Sequence, residues 1–321
     1  MSAPAGLVFN PHSHTVQRKG SVLEAAAPGI PGAHLVRLED FSRLDEQMTA
    51  LAKAGVRAVF VEGGDGTLQA VLSACFALQA KFHGLPEFAI LPGGSTNLAY
   101  KVCGLRLHEP EQIVEFIARF RHDSASVARV YQSGLRVESA ALARSAIGML
   151  LSTGSLARVM LYAQREILGE GDRGSRAVGE AAMRFILSPE SHLDQDGLPL
   201  LRGSPLVANC KSFRLQGEHA MSLMTTLPSL SLRLKPFWGE GNAPIAVTHA
   251  EWPIRGLRAA FLKIVAGWTG PQMVRHGLTS HRSDGVDLIY TGPVVLDGEL
   301  LPAPADGRIR ISVSQPISFL R

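Results

Sequence analysis

Gly63-Gly64-Asp65-Gly66-Thr67 sets three glycines beside a carboxylate and a hydroxyl. Glycines let a backbone approach a phosphate closely and turn its N–H groups toward it. An apolar run ends just before this stretch and a helical pattern begins just after it. The N-terminus of that helix adds partial positive charge at the same place. Asp65 has little side-chain cover among glycines. It is a candidate ligand for Mg²⁺, or the group that takes a proton from an attacking hydroxyl. The plainer alternative is a glycine-rich turn with Asp65 as a helix N-cap.

A second loop, Pro92-Gly93-Gly94-Ser95-Thr96-Asn97, also falls between a strand pattern and a helix pattern. It offers backbone amides, the hydroxyls of Ser95 and Thr96 and the amide of Asn97, which suit phosphate or ribose oxygens. Any of those three side chains could instead cap the next helix. Further on, Val294-Val295-Leu296 runs into Asp297-Gly298-Glu299. Asp297 is either a second carboxylate, acting as general base on an acceptor hydroxyl, or the first residue of an Asp-Gly hairpin turn. His12, His14, Arg18 and Lys19 either neutralise phosphate charge or belong to a solvated loop.

The elements that must hold these loops can be read from hydrophobic spacing. Strands are expected at Gly6–Phe9, His34–Leu38, Ala58–Val61 and Phe88–Leu91. Helices are expected at Leu44–Ala54, Thr67–Gln79, from Asn97, and at Glu111–Phe120, with residues 12–20 as a surface loop. Strand alternating with helix predicts a parallel α/β sheet. Ligands of such sheets sit beyond the carboxyl ends of the strands, where Asn10 and both glycine loops fall. After about residue 124 the pattern changes to short strands between turns, at Val127–Val137, Ala182–Leu187, Cys210–Leu215, Met221–Thr226 and Ile245–His249. Residues 166–180 have the composition of a loop or lid. The alternation over Arg308–Phe319 fits a strand able to join either half. The expected domains are 1–123, with 306–321 able to complete it, and a β-rich 124–305 for the acceptor.

The 321 residues are 46% hydrophobic and 19% charged, the balance of a globular chain rather than a disordered one. A net charge of +4 suits an anionic ligand, and without a basic run or aromatic-basic stripe it gives no case for nucleic acid. Cys75, Cys103 and Cys210 are odd in number and widely spaced, which argues against disulfides and zinc and for reduced core thiols in the cytoplasm. No signal peptide is visible at the N-terminus, and no run reaches the ~18 apolar residues of a span. A lipid substrate would be met at a membrane surface, and Pro236-Phe237-Trp238 is either a greasy rim for that contact or core packing.

Together, Asn10-Pro11, Gly63–Thr67, Pro92–Asn97 and Asp297–Glu299 resemble the diacylglycerol-kinase catalytic family, itself similar to sphingosine kinases and more distantly to NAD kinases. The likeness spans nearly the whole chain, and the GGDGT loop is its specific part. It implies an α/β nucleotide-binding domain with a parallel sheet, a mainly β, sandwich-like C-terminal domain, and ATP between them. It implies transfer of the γ-phosphate of Mg-ATP to a lipid hydroxyl, such as that of diacylglycerol. By match, Asp65, Asp297 and Glu299 are the catalytic candidates and Asp65 the metal ligand. Asn10, Gly63, Gly64, Asp65, Gly66, Thr67, Gly94, Ser95, Thr96 and Asn97 are the nucleotide contacts. The implied location is the cytoplasm, with peripheral contact at the inner membrane surface, and an oligomer is compatible. The chain departs from the family pattern at His12-Ser13-His14, where glycines are usual, and at Ser95 in place of Thr. Two other readings share the scaffold: a kinase for a soluble acceptor such as NAD, and a regulatory protein that binds nucleotide or lipid without turnover. The Asn-Glu pair expected of NAD kinases is not seen between 100 and 140.

Overall fold

The computed structural model describes residues 4–94, 96–194 apart from 171–191, and 196–321 apart from 231–233 and 235. The chain divides into two compact units, one reaching to Ser133 and taking back Ser314–Arg321, the other Gly134–Val313.

Among the described residues the first unit holds six strands: β1 (Ala5–Phe9), β2 (His34–Arg37), β3 (Ala58–Gly63), β4 (Glu87–Pro92), β5 (Arg129–Gln132) and β17 (Ile317–Leu320). Their order is β2-β1-β3-β4-β17-β5; all pair in parallel except β5, which runs antiparallel to β17. β1 and β3 are buried throughout, as strands covered on both faces must be. The helices are α1 (His14–Lys19), α2 (Val22–Ala26), α3 (Leu44–Lys53), α4 (Asp65–Ala77), α5 (Leu98–Cys103) and α6 (Pro110–His122). Leu7, Phe60 and Leu91 share one core with Leu23 of α2 and Ile113, Phe116 and Ile117 of α6. The Phe60 and Phe116 rings meet edge-on at 6.1 Å. Gly6, on the opposite face, lies under Leu51 of α3, where a Cβ would come within 3.0 Å of Leu51 Cδ1. α3 ends at Lys53 because Gly55 takes φ +73°, open to glycine at little cost.

The second unit is one antiparallel sheet of eleven strands among the described residues. They are β6 (Leu135–Ser139), β7 (Ala146–Gly148), β8 (Leu150–Thr153), β9 (Ser204–Asn209), β10 (Arg214–Thr225) and β11 (Ile245–Glu251). The rest are β12 (Leu278–Ser283), β13 (Gly285–Ile289), β14 (Val294–Leu296), β15 (Glu299–Leu300) and β16 (Arg308–Val313). Among the described residues two α-helices accompany them, α7 (Gly154–Glu170) and α8 (Leu257–Val265). The core of this unit gathers Val137, Leu151, Met224, Val247, Leu288, Leu296 and Ile311.

The fold class matches the sequence reading, an α/β domain with a parallel sheet followed by a β-rich one, but several elements differ. Residues 12–20, read as a loop, contain α1, and α2 follows directly. The start of α2 is capped locally, Ser21 Oγ accepting from Glu24 N at 3.0 Å, a Ser-x-x-Glu signal the sequence reading passed over, and from outside by Glu62 of β3 (below). Val127–Val137 is two strands that go to different sheets, β5 and β6. Cys210–Leu215 is mostly a turn, closed by Cys210 N donating to Phe213 O at 3.1 Å, between β9 and β10. Arg308–Phe319 also splits, β16 going to one sheet and β17 to the other. Residues 166–170 close helix α7 rather than forming a loop. Ala182–Leu187 and residues 171–180 lie outside the described residues. Pro236 is buried and Trp238 packs against Ala220, Ala250 and Met273, so this stretch is core packing rather than a rim.

Candidate active site

Parallel register sets the site. Phe9 lies beside Glu62, and Glu62 beside Leu91, so the loops leaving β1, β3 and β4 start side by side. β2 lies on one side of β1, β3 and β4 on the other. The chain thus leaves β1 and β3 in opposite directions, and the crevice between such loops is where open α/β sheets bind ligands.

The two glycine loops touch through backbone. Gly93 N donates to Gly63 O at 3.0 Å, and Thr15 N donates to Gly93 O at 2.8 Å. A Cβ on Gly94 would stand 2.5 Å from Gly64 Cα, and one on Gly93 would stand 2.6 Å from Gly63 Cα. A Cβ on Gly63 would stand 2.6 Å from Thr67 Cβ. Glycine at these positions therefore answers to close approach. α4 starts directly at Asp65, with Gly64 as its N-cap, so the N–H groups of its first turn, including those of Asp65, Gly66 and Thr67, have no helical carbonyl to meet. Asn10 ties the first loop in: its Nδ2 donates to Thr67 Oγ1 at 2.9 Å, and its Oδ1 accepts from His12 N at 2.8 Å.

Asp65 reaches across to the second loop. Its Oδ2 accepts from Thr96 Oγ1 at 2.8 Å and from Leu98 N at 3.0 Å, and its Oδ1 accepts from Ala99 N at 3.2 Å. It caps α5, whereas the sequence suggested a cap on its own helix. Each carboxylate oxygen accepts two bonds, so Oδ1 keeps one acceptor position for a metal ion or a proton. Asn97 sits in left-handed backbone, φ +47°. Its Oδ1 accepts from Gly94 N at 2.9 Å and its Nδ2 donates to Gly94 O at 2.6 Å. Asn97 and Thr96 thus brace the loop with the same atoms proposed for ligand contact. Ser95 lies outside the described residues. His12, Arg18 and Lys19 are exposed, the last two in the final turn of α1.

In the second unit, Asp297 (φ +50°) and Gly298 (φ +92°) join β14 to β15. Positive φ at both central residues is the two-residue hairpin turn that Asp-Gly favours. The Asp297 carboxylate accepts from Met149 N and Leu150 N, both at 2.8 Å. Gly148 leaves room for it, since a Cβ there would fall 2.6 Å from Asp297 Oδ2. Glu299 is exposed at the start of β15.

Two features escape the sequence reading. Glu62 is buried, and its carboxylate accepts from Ser21 Oγ at 2.6 Å and from Val22 N and Leu23 N, both at 3.0 Å. It holds the start of α2 beside the first glycine loop. The available signal was a carboxylate closing an apolar run. The second unit also buries a polar cluster. His219 Nδ1 carries the proton, because at 2.8 Å it faces the carbonyl oxygen of Ser204, which only accepts; its Nε2 then accepts from Thr153 Oγ1 at 3.2 Å. His249 Nδ1 meets Ser222 Oγ at 3.0 Å, and Tyr290 OH accepts from Gly154 N. Arg158 Nη2 donates to Ser204 Oγ. Burial lowers the pKa of His219 and takes that of His249 down to about 3, while it raises that of the Tyr290 phenol. Cys75 and Cys103 are buried and form no disulfide, and burial pushes the Cys103 thiol up to about 12.

A mixed, mainly parallel α/β unit with paired glycine loops at its switch point, followed by an antiparallel β unit, defines the class of fold. Residues 4–130 match the family model of the diacylglycerol kinase catalytic domain. One solved structure similar to the chain is described as a diacylglycerol kinase from Bacillus anthracis strain Sterne, with 13% identity, a TM-score of 0.60, and 100% of this chain and 97% of that one covered. Another, described as a "putative diacylglycerol kinase" from the same strain, has 13% identity and a TM-score of 0.65, covering 100% and 96%. At that identity the likeness speaks for the fold. No curated protein matches the sequence. Among the described residues no helix is long and apolar enough to cross a membrane.

Proposed function

We propose that the chain transfers the γ-phosphate of ATP to a lipid hydroxyl, such as that of diacylglycerol. The observation that carries this reading is the pair of glycine loops in backbone contact at the switch point, with the open first turn of α4 beside them. Such a surface offers N–H groups to phosphate oxygens and leaves no side chain in the way. In the reaction the acceptor oxygen bonds to the γ-phosphorus, the bond from that phosphorus to the β,γ-bridging oxygen breaks, and ADP leaves. The hydroxyl proton passes to a carboxylate or to water. The backbone amides of Gly64–Thr67 hold and orient the phosphates, which is most of what such a transfer needs.

Mg²⁺ fits this donor set in one way. Among the described residues no three acidic, histidine or cysteine side chains gather at one point, and Oδ1 of Asp65 keeps an acceptor position. The ion would be held by ATP oxygens with Asp65 as its protein ligand, as is usual for this cation. When bound it neutralises the phosphate charge. Asp65, Asp297 and Glu299 are the carboxylates proposed for catalysis, with Asp65 closest to the glycine loops in the chain and in hydrogen bonding.

A second reading is a protein that binds nucleotide or lipid without turnover. It is favoured by one observation: the carboxylates of both Asp65 and Asp297 are already engaged by backbone amides. Incubation with γ-³²P-ATP, Mg²⁺ and a panel of extracted lipids separates the two. A labelled lipid, lost in a Gly94→Ala variant, supports the kinase. ATP binding with no label in any lipid supports the second reading or a soluble acceptor.

A further inference from the structure

From Trp252 to Ser283 the chain has no Asp or Glu, yet it carries Arg255, Arg258, Lys263, Arg275 and Arg282. The acids Glu251 and Asp284 flank the stretch. Within it lies α8, whose two sides differ. Ala260 and Ile264, one helical turn apart, pack inward with Ile254, Met273 and Leu278. Arg258, Leu262 and Val265 share the outward side, at i, i+4 and i+7. Leu262 is 65% exposed and Val265 51%. The end of the helix adds to this surface. Gly267 takes φ +72°, Gly267 N donates to Ile264 O at 3.2 Å, and Trp268 N donates to Lys263 O at 2.8 Å. That pair of bonds is the Schellman closure, and it fixes Trp268 just past the helix. Trp268 is 71% exposed. The following turn, Pro271–His276, is tied back by Lys263 Nζ against His276 Nε2 at 2.9 Å, and it presents Val274, 60% exposed, beside Arg275.

Four large apolar side chains thus stand in water on ordered backbone. Each would gain free energy by leaving water. The charged residues within Trp252–Ser283 are of one sign. Tryptophan and aliphatic side chains among arginines and lysines are the composition of a surface that rests in lipid headgroups. We propose that Trp252–His276 is a docking surface for an anionic membrane. Leu262, Val265, Trp268 and Val274 enter the headgroup layer, while Arg255, Arg258, Lys263 and Arg275 meet lipid phosphates. The inference stands on this surface alone. For the phosphotransfer reading it adds a route by which a water-insoluble acceptor is reached.

The test is flotation of the full chain with vesicles of phosphatidylcholine, and of phosphatidylcholine mixed with phosphatidylglycerol. The protein floats with the anionic vesicles, and binding weakens as salt is raised. Arg258→Glu and Arg275→Glu each lower the partition coefficient by about fivefold or more. Leu262→Ser combined with Trp268→Ser removes binding, with the thermal midpoint unchanged because both side chains are exposed. Equal partition of wild type and these variants overturns the proposal, as does failure of the wild type to float. Concentration-dependent self-association that is lost in Trp268→Ser also overturns it, since a second copy then covers the face. Intact vesicle binding by a protein that labels no lipid supports the docking surface and counts against the kinase reading.

Discussion

Asp65 joins the two glycine loops, and its chemistry is set by three donors. Replacing it with Asn puts an N–H₂ group against backbone N–H groups that now donate to a carboxylate. Loss of a buried or half-buried acceptor costs about 1–3 kcal/mol. Asp65→Asn is therefore expected to disorder the second loop, weakening ATP affinity about tenfold or more as well as lowering turnover. Isothermal titration with ATP, beside a turnover assay, checks this: affinity unchanged with turnover lost would make Asp65 a chemical group only. Asp297 has the same arithmetic in a different place. Asn tolerates its positive φ, so the turn survives in Asp297→Asn, but Met149 N or Leu150 N loses its partner. A fall of about 1–3 kcal/mol in urea unfolding is expected. A drop in kcat without that fall would instead assign Asp297 to the chemistry.

Among the elements, β1, β3 and β4 decide where the loops start, and α4 and α5 decide what the loops face. The contact of Gly94 with Gly64 is backbone on backbone, so a methyl group has no flexible neighbour to displace. Gly94→Ala is expected to push the loops apart, at a cost of about 1–3 kcal/mol, and to abolish ATP binding. Thermal unfolding gives the first and titration the second. Normal ATP affinity in a folded Gly94→Ala protein would mean that nucleotide does not use this contact. Glu62 shows the same dependence on neighbours. It lies in a strand, but the N–H groups it satisfies belong to α2, so the strand end and the helix start are one structural feature.

For the molecule as a whole, the buried histidines of the second unit link stability to pH. His249 is held near 3 when folded and titrates near 6.5 when unfolded, so the unfolded chain binds the extra proton. Stability is complete above about pH 6.5 and falls as the pH drops toward 3. At pH 5 this one group removes about 2 kcal/mol. His219, also lowered, adds in the same direction. Denaturant unfolding at pH 7.5 and pH 5.0 measures the loss, and His249→Gln is expected to reduce it. An equal loss in that variant would place the titration elsewhere.

Hydrophobic spacing alone was enough to place β1, β3, β4, α3 and α6 within a few residues, because buried strands and amphipathic helices must carry their burial in their own residues. The glycine loops were legible too, since few structures other than a close approach call for so many glycines at a strand–helix junction. The rest depends on residues distant in the chain. Glu62 receives the N–H groups of Val22 and Leu23 at the start of α2, and Asp65 caps α5 rather than its own helix. Residues 129–139 and 308–320 each divide between two sheets; Ser133-Gly134 and Pro316 mark the breaks, but nothing local says which sheet each strand joins. The exposed side of α8 has the composition of an ordinary core segment, and only packing shows which of its apolar residues are left in water. Local sequence therefore determined which elements exist, through propensity and burial pattern. The tertiary structure decided which polar groups meet, because a hydrogen bond depends on distance in space and a sequence records only distance along the chain.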